Sequence, residues 1–135
     1  MDALRVLLVD DEECYLQTVA KIFQRKHIDV VLCTNSLDAV SMVRETQCQV
    51  VVLDLKMPGR TGQDVLREVK TKYPDVQVII LTGHASTEDA AVCLTSGAFD
   101  FLLKPVDIND LINAINAAFG VWKILRNTER LEHIE

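Results

Sequence analysis

No stretch of the chain approaches the roughly 20 consecutive apolar residues of a membrane span; its longest Val/Ile/Leu runs, VLLV, VVVL and VIIL, are four residues each. No signal peptide is expected either: MDALRVLLVDDEE brings an early Arg and acids where secretion needs a longer apolar stretch and a small-residue cleavage site. The expected compartment is cytoplasmic, with no membrane contact. Cys14, Cys33, Cys48 and Cys93 form no C-x-x-C pair and no Cys/His cluster, which sets aside a disulfide framework and a zinc site. They read as small buried hydrophobes. Basic residues are in deficit, 14 Lys and Arg against 20 Asp and Glu, so the net charge of -6 argues against broad electrostatic capture of nucleic acid or anionic lipid and leaves room only for a local basic face. Internal repeats, low-complexity tracts and effector motifs (helix-turn-helix, ATPase) are also missing. What remains is 135 residues, 49% of them hydrophobic: one globular domain rather than an acidic disordered tail.

Five short apolar runs recur at fairly even spacing, at residues 6–9, 30–33, 50–53, 78–81 and 99–103. Three are continuous rather than alternating, as strands of a parallel sheet covered on both faces must be. Between them lie segments of helical period, such as Leu16, Val19, Ala20 and Phe23, or Val65, Leu66, Val69 and Tyr73. Ser86 with Asp89 and Asp107 with Asp110 have capping-box spacing and mark two helix starts. Gly97 stops one helix, and Pro74 closes another after Tyr73. The alternation predicts an α/β fold, a doubly wound five-stranded parallel sheet with helices on both faces.

The last segment departs from that rhythm. Leu111, Ile115, Ala118, Trp122 and Leu125 follow alternating steps of four and three, and a neighbouring series (Val121, Ile124, Thr128, Leu131) carries the pattern further. The helical pattern passes the expected domain edge near Gly120, which divides the chain into a domain over 1–120 and a helical extension or linker over 121–135. The extension is a candidate pairing surface, although neither series sustains the three heptads of a coiled coil.

Chemistry in an open parallel sheet gathers beyond the carboxyl ends of the strands. The first run here ends in Asp10-Asp11, followed by Glu12-Glu13, the third in Asp54, the fourth in Thr82-Gly83 and the fifth in Lys104-Pro105. Glu12 and Glu13 read as favourable acids in the first turn of a helix. Where the first and third strands adjoin, as in a sheet of order 2-1-3-4-5, Asp10, Asp11 and Asp54 share one cleft. Two carboxylates about 4 Å apart repel by about 4 kcal/mol at an effective dielectric near 20. Three together call for protonation or a cation. Lys104 supplies one positive charge, and a hard divalent cation with oxygen ligands would supply the rest. Magnesium fits best, since it takes one or two carboxylates, keeps several waters and completes its shell with phosphate oxygens.

These residues, with the strings LLVDDE, VVLDLKMPGRTG, VIILTGHA and GAFDFLLKP around them, resemble the receiver domain of bacterial two-component response regulators across roughly residues 4–120. The resemblance implies the flavodoxin-like strand order 2-1-3-4-5. It implies that Asp54 is the phosphoacceptor of a two-component phosphorelay, taking a phosphoryl group from a sensor histidine kinase in a Mg2+-dependent reaction. Asp11 and Asp54 match the direct metal ligands together with the backbone carbonyl of Lys56, while Asp10 acts through water. Lys104 matches the residue that pairs with the phosphoryl oxygens, Thr82 the hydroxyl that turns toward them, and Phe101 the aromatic that rotates behind it. Lys56 and His84 occupy positions that tune the lifetime of the acyl phosphate. The expected molecule is thus a phosphoacceptor module, not an enzyme acting on other substrates. Its output is a switching face made by the fourth helix, fifth strand and fifth helix. That face or the extended last helix would support a homodimer, with no direct nucleic-acid binding by this chain. With no effector motif the chain reads as either a stand-alone receiver or the front of a longer regulator, and the LTGHAS and FDFLLKP strings faintly resemble receivers that form the N-terminal part of AAA+ transcription activators.

Three other functions compete. An FMN-binding protein of flavodoxin type would need a Ser/Thr/Gly-rich phosphate cradle that the strand-end loops lack. An aspartate-nucleophile phosphatase would need a D-x-D motif where Asp10-Asp11-Glu12 stands. An interaction module that takes no phosphate would have no use for the complete acid, Thr and Lys set.

Overall fold

The computed structural model describes residues 3–84 and 86–132. Five strands form one parallel sheet: β1 (Arg5–Val9), β2 (Asp29–Cys33), β3 (Val50–Leu53), β4 (Gln77–Thr82) and β5 (Asp100–Leu103), in the order β2-β1-β3-β4-β5. Helices α1 (Glu13–Arg25), α2 (Ala39–Thr46), α3 (Gly62–Lys72), α4 (Thr87–Thr95) and α5 (Ile108–Glu132) alternate with them.

The sheet is buried on both sides, which accounts for the unbroken Val/Ile/Leu runs. Successive residues of one strand face opposite layers. Val6, Leu8, Val50, Val52, Ile79 and Leu81 meet Leu16, Val19 and Phe23 of α1 and Leu111, Ile115 and Ala118 of α5. Their neighbours Leu7, Val9, Val51, Leu53, Val78 and Ile80 meet Val40 and Val43 of α2, Val65, Leu66 and Val69 of α3, and Cys93 of α4. The edge strands β2 and β5 are only partly covered.

Helix boundaries follow local chemistry. Thr61 caps α3 and Ser86 caps α4, each side-chain oxygen accepting the N–H three residues on, from Asp64 at 3.2 Å and from Asp89 at 3.0 Å. Asp107 accepts the N–H of Asn109 at 2.8 Å at the start of α5. Gly97, at φ +105°, turns the chain out of α4.

Two features refine the sequence-based expectations. Cys14 is exposed, unlike the other three cysteines, because it lies two residues from Leu16 and so on the opposite side of α1. The last helix runs without a break through Gly120 to Glu132, 25 residues and about 37 Å. Past Ala118, Trp122 is half-buried and Arg126 lies 3.8 Å from Asp75, while Ile124 and Leu131 are exposed. Residues 133–135 of the expected extension lie outside the described residues, as do Met1, Asp2 and Ala85.

Candidate functional site

Register builds the site. Val9 pairs with Leu53 across β1 and β3, so the residues that follow, Asp10 and Asp54, leave the sheet side by side. Their backbone amides remain tied to it: Asp54 N–H donates to Val9 O and Asp10 N–H to Cys33 O, both at 3.0 Å. Thr82 pairs with Leu103 across β4 and β5, and Lys104 N–H donates to Thr82 O at 2.9 Å. The Lys104–Pro105 peptide is cis.

Asp10, Asp54 and Thr82 are almost fully buried. The Lys104 ammonium donates to Asp10 Oδ2 at 2.5 Å and stands 3.5 Å from Glu12 Oε1 and 3.9 Å from Asp54 Oδ2. Asp54 Oδ1 is buried without a hydrogen-bond partner, a costly state for a carboxylate oxygen. Burial pushes the Asp54 carboxyl above its ordinary value and Asp10 pushes it further, while the Thr82 hydroxyl and Lys104 pull it down. Burial works against the Lys104 charge, but the hydrogen bond to Asp10 and the surrounding carboxylates outweigh it and raise the pKa.

Carboxylate oxygens of Asp10, Glu12 and Asp54 all lie within 4.8 Å of one another, a group able to hold a metal ion. With an orphaned buried oxygen and only hard oxygen donors, this set suits a hard cation. Asp11 is exposed and outside that trio. Glu12, which the sequence places in a helix start, is instead the residue preceding α1. Its N–H donates to Asp10 Oδ1 at 3.0 Å, and its carboxylate overhangs the cleft. The acidic run Asp10–Glu13 signalled an extra acid here without showing which one turns inward.

The remaining predicted residues surround this centre. Lys56 is exposed on the β3–α3 loop and lines a groove with Met57, Thr61 and Asp89. His84 is exposed, and its N–H donates to Thr82 Oγ1 at 3.2 Å. Phe101 is half-buried on β5 against the core layer beneath α2, α3 and α4. Tyr15, to which the sequence drew no attention, sets its ring 4.5 Å from the Lys104 ammonium.

A family model for the response regulator receiver domain matches residues 6–116. The chain belongs to that family. Among curated relatives, the receiver is 34% identical over 115 residues to the transcriptional regulatory protein ZraR of Klebsiella oxytoca, a match covering 85% of this chain and 26% of that one. Among solved structures, it resembles a response regulator receiver domain protein from Clostridium thermocellum with TM-score 0.85 and 36% identity, covering 90% of this chain and 98% of the other. It also resembles NtrX from Brucella abortus, with TM-score 0.85 and 27% identity over 96% of this chain and 30% of that one. The receiver spans about a quarter of the length of the curated relatives it matches. The family shown is that of receivers, not of flavodoxin-type FMN-binding proteins or aspartate-nucleophile phosphatases. No helix among the described residues is long and apolar enough to cross a membrane.

Proposed function

We propose that this receiver accepts a phosphoryl group on Asp54 from a sensor histidine kinase in a Mg2+-dependent reaction, and that the modification resets the face formed by α4, β5 and α5. The observation that carries this reading is Asp54 Oδ1, a buried carboxylate oxygen with no hydrogen-bond partner, at the end of a central strand beside a cationic side chain. That oxygen attacks phosphorus, a new O–P bond forms, and the bond from phosphorus to the donor nitrogen breaks with its electron pair leaving on the imidazole. Asp11, Asp54 and the backbone carbonyl of Lys56 would hold magnesium directly, with Asp10 acting through water and Glu12 adding charge at the rim. Such an ion would supply positive charge beside the transferring group.

The chain's own residues do the rest. Lys104 exchanges its contact with Asp10 for the incoming phosphoryl oxygens, a charge-assisted pairing. Thr82 Oγ1, an acceptor for His84 N–H, still has its own hydrogen to donate to one of them. The phosphoryl adds about -1.5 to -2 charge. Moving a switch from 1:99 to 99:1 takes about 5.5 kcal/mol, within reach of several such contacts. Phe101 turns behind Thr82 in this scheme. Helix α4 suits a mobile output element, since it buries only Cys93, while Val92 and Leu94, like Leu103 of β5, stand exposed.

In the same reading the receiver works in the cytoplasm and binds no nucleic acid itself. It controls a transcriptional regulator, the role the name of its Klebsiella relative carries. Activation pairs two copies, through this face or the last helix beyond residue 120.

Incubation with magnesium and acetyl phosphate tests the chemistry. One phosphoryl group should appear by mass on the wild type and map to Asp54, and it should be absent from Asp54→Ala and from samples held in EDTA. Sedimentation of the same samples should show dimers only after phosphorylation. A wild type that gains no mass, or gains it elsewhere, overturns the assignment.

Lys56 and His84 flank the cleft without joining its core, so they set water access rather than acceptance. In Lys56→Ala and His84→Ala, aspartyl-phosphate decay should change severalfold while the same stoichiometry of phosphate is reached. Unchanged lifetimes in both variants would remove them from that role.

A further inference from the structure

Lys104 has a placement problem. It follows β5, three strand spacings or about 14 Å from β1, yet its ammonium sits against Asp10 at the end of β1. A lysine stem is long and gains rotational freedom when released, and every carboxylate that holds this one is also wanted elsewhere in the proposed chemistry. Asp10, Glu12 and Asp54 belong to the proposed metal site, and Asp54 is the proposed acceptor.

One contact on the ammonium has no such second duty. The Tyr15 ring, in the first turns of α1, packs half-buried against the α1/α5 core layer and lies 4.5 Å from Lys104 Nζ. It lines the same narrow crevice as Asp10, Asp54 and Leu81. An aromatic face attracts a cation without consuming a directed N–H donor. All three ammonium hydrogens thus stay available for carboxylate or phosphoryl oxygens. Attraction to the ring also tolerates the short swing from Asp10 toward Asp54 better than a hydrogen bond with a fixed direction.

We infer that Tyr15 is a positioning residue for phosphoryl acceptance, its ring face holding the Lys104 ammonium over the cleft while the lysine changes oxygen partners. The inference rests on the proposal that Asp54 is phosphorylated. Nothing in it requires the Tyr15 hydroxyl, so a phenylalanine should serve equally well, whereas an aliphatic side chain of similar bulk should not.

Tyr15→Phe, Tyr15→Leu and Tyr15→Met are compared with the wild type in two measurements, and the second aliphatic variant guards against one that fails to fold. In NMR spectra, the Lys104 ε-methylene protons should show an upfield ring-current displacement in the wild type and Tyr15→Phe, lost in the Leu and Met variants. In acetyl phosphate with magnesium, the rate of mass gain on Asp54 should fall about tenfold in the Leu and Met variants and stay near wild type in Tyr15→Phe. Wild-type rates in folded Leu or Met variants overturn the role of Tyr15, and so does a Phe variant as slow as they are. A wild type that takes up no phosphate sinks the phosphoacceptor reading as well, which separates that failure from failure of Tyr15 alone.

Discussion

Replacing Lys104 with methionine should lower the stability of the metal-free protein by about 3 kcal/mol, the low end for removing one partner of a buried ion pair. The lysine side chain is 13% exposed and Asp10 only 5%, so water screens little of the interaction. Without the ammonium, Asp10, Glu12 and Asp54 face one another with no cation between them. Removing an acid should do the opposite. Asp54→Asn should raise stability by about 1 kcal/mol or more at neutral pH, because it relieves a buried charge with an orphaned oxygen. The pH dependence carries the same sign. Burial raises the native Asp54 pKa above its ordinary 3.8. Its protonated form therefore contributes stability that is fully present below 3.8 and is lost as pH rises through the raised native value. The advantage of Asp54→Asn should grow across that window. Urea denaturation in EDTA measures both variants, and magnesium should restore part of the loss in Lys104→Met by binding only the folded cluster. A Lys104→Met protein as stable as wild type in EDTA would refute the electrostatic account.

Gly62→Ala should be the most damaging of the glycine-to-alanine changes in this chain. A Cβ at Gly62 would collide with the Asp54 carbonyl oxygen and stand 2.6 Å from Leu55 Cα, both backbone atoms of the segment that carries Asp54. Gly62 opens α3, and its N–H donates to Leu55 O at 2.8 Å, so relief requires moving the helix start away from the strand end. The expected loss is about 3 kcal/mol, or about 10 °C in melting temperature, with slowed phosphorylation in whatever remains folded. Gly120→Ala is the control: nothing lies within 4 Å of its Cβ position inside α5, and alanine should add about 0.5–1 kcal/mol there. Equal melting temperatures for the two variants would contradict this picture.

The strands were legible because both faces of the sheet are covered, which forces continuous apolar runs at 6–9, 50–53 and 78–81. The caps at Ser86 and Asp107 were legible because each acts within three residues of itself. The adjacency of Asp10 and Asp54 was of another kind. It depends on β1 and β3 being neighbours, a crossover that no local periodicity specifies and that only the family resemblance supplied. Which acid of the Asp10–Glu13 run turns inward was not legible. The chain changes there from strand to helix, and the Glu12 amide folds back onto Asp10 Oδ1, so alternation no longer predicts direction. Tyr15 escaped notice because its partner is 89 positions away in sequence, and its attraction to Lys104 leaves no trace in spacing. Cys14 was misjudged from apolar neighbours when its angle around α1 decided its exposure.

Helix α5 is rooted just past Lys104, at the rim where Asp54 opens, and its far part reaches Trp122 and Arg126 beside Tyr73, Asp75 and Val76, at the opposite rim of the sheet. A rigid rod with that placement is a lever arm. A tilt of about 5° at its root sweeps the far end by about 3 Å. Any segment joined to that end would be displaced by a tilt that starts at the other side of the molecule.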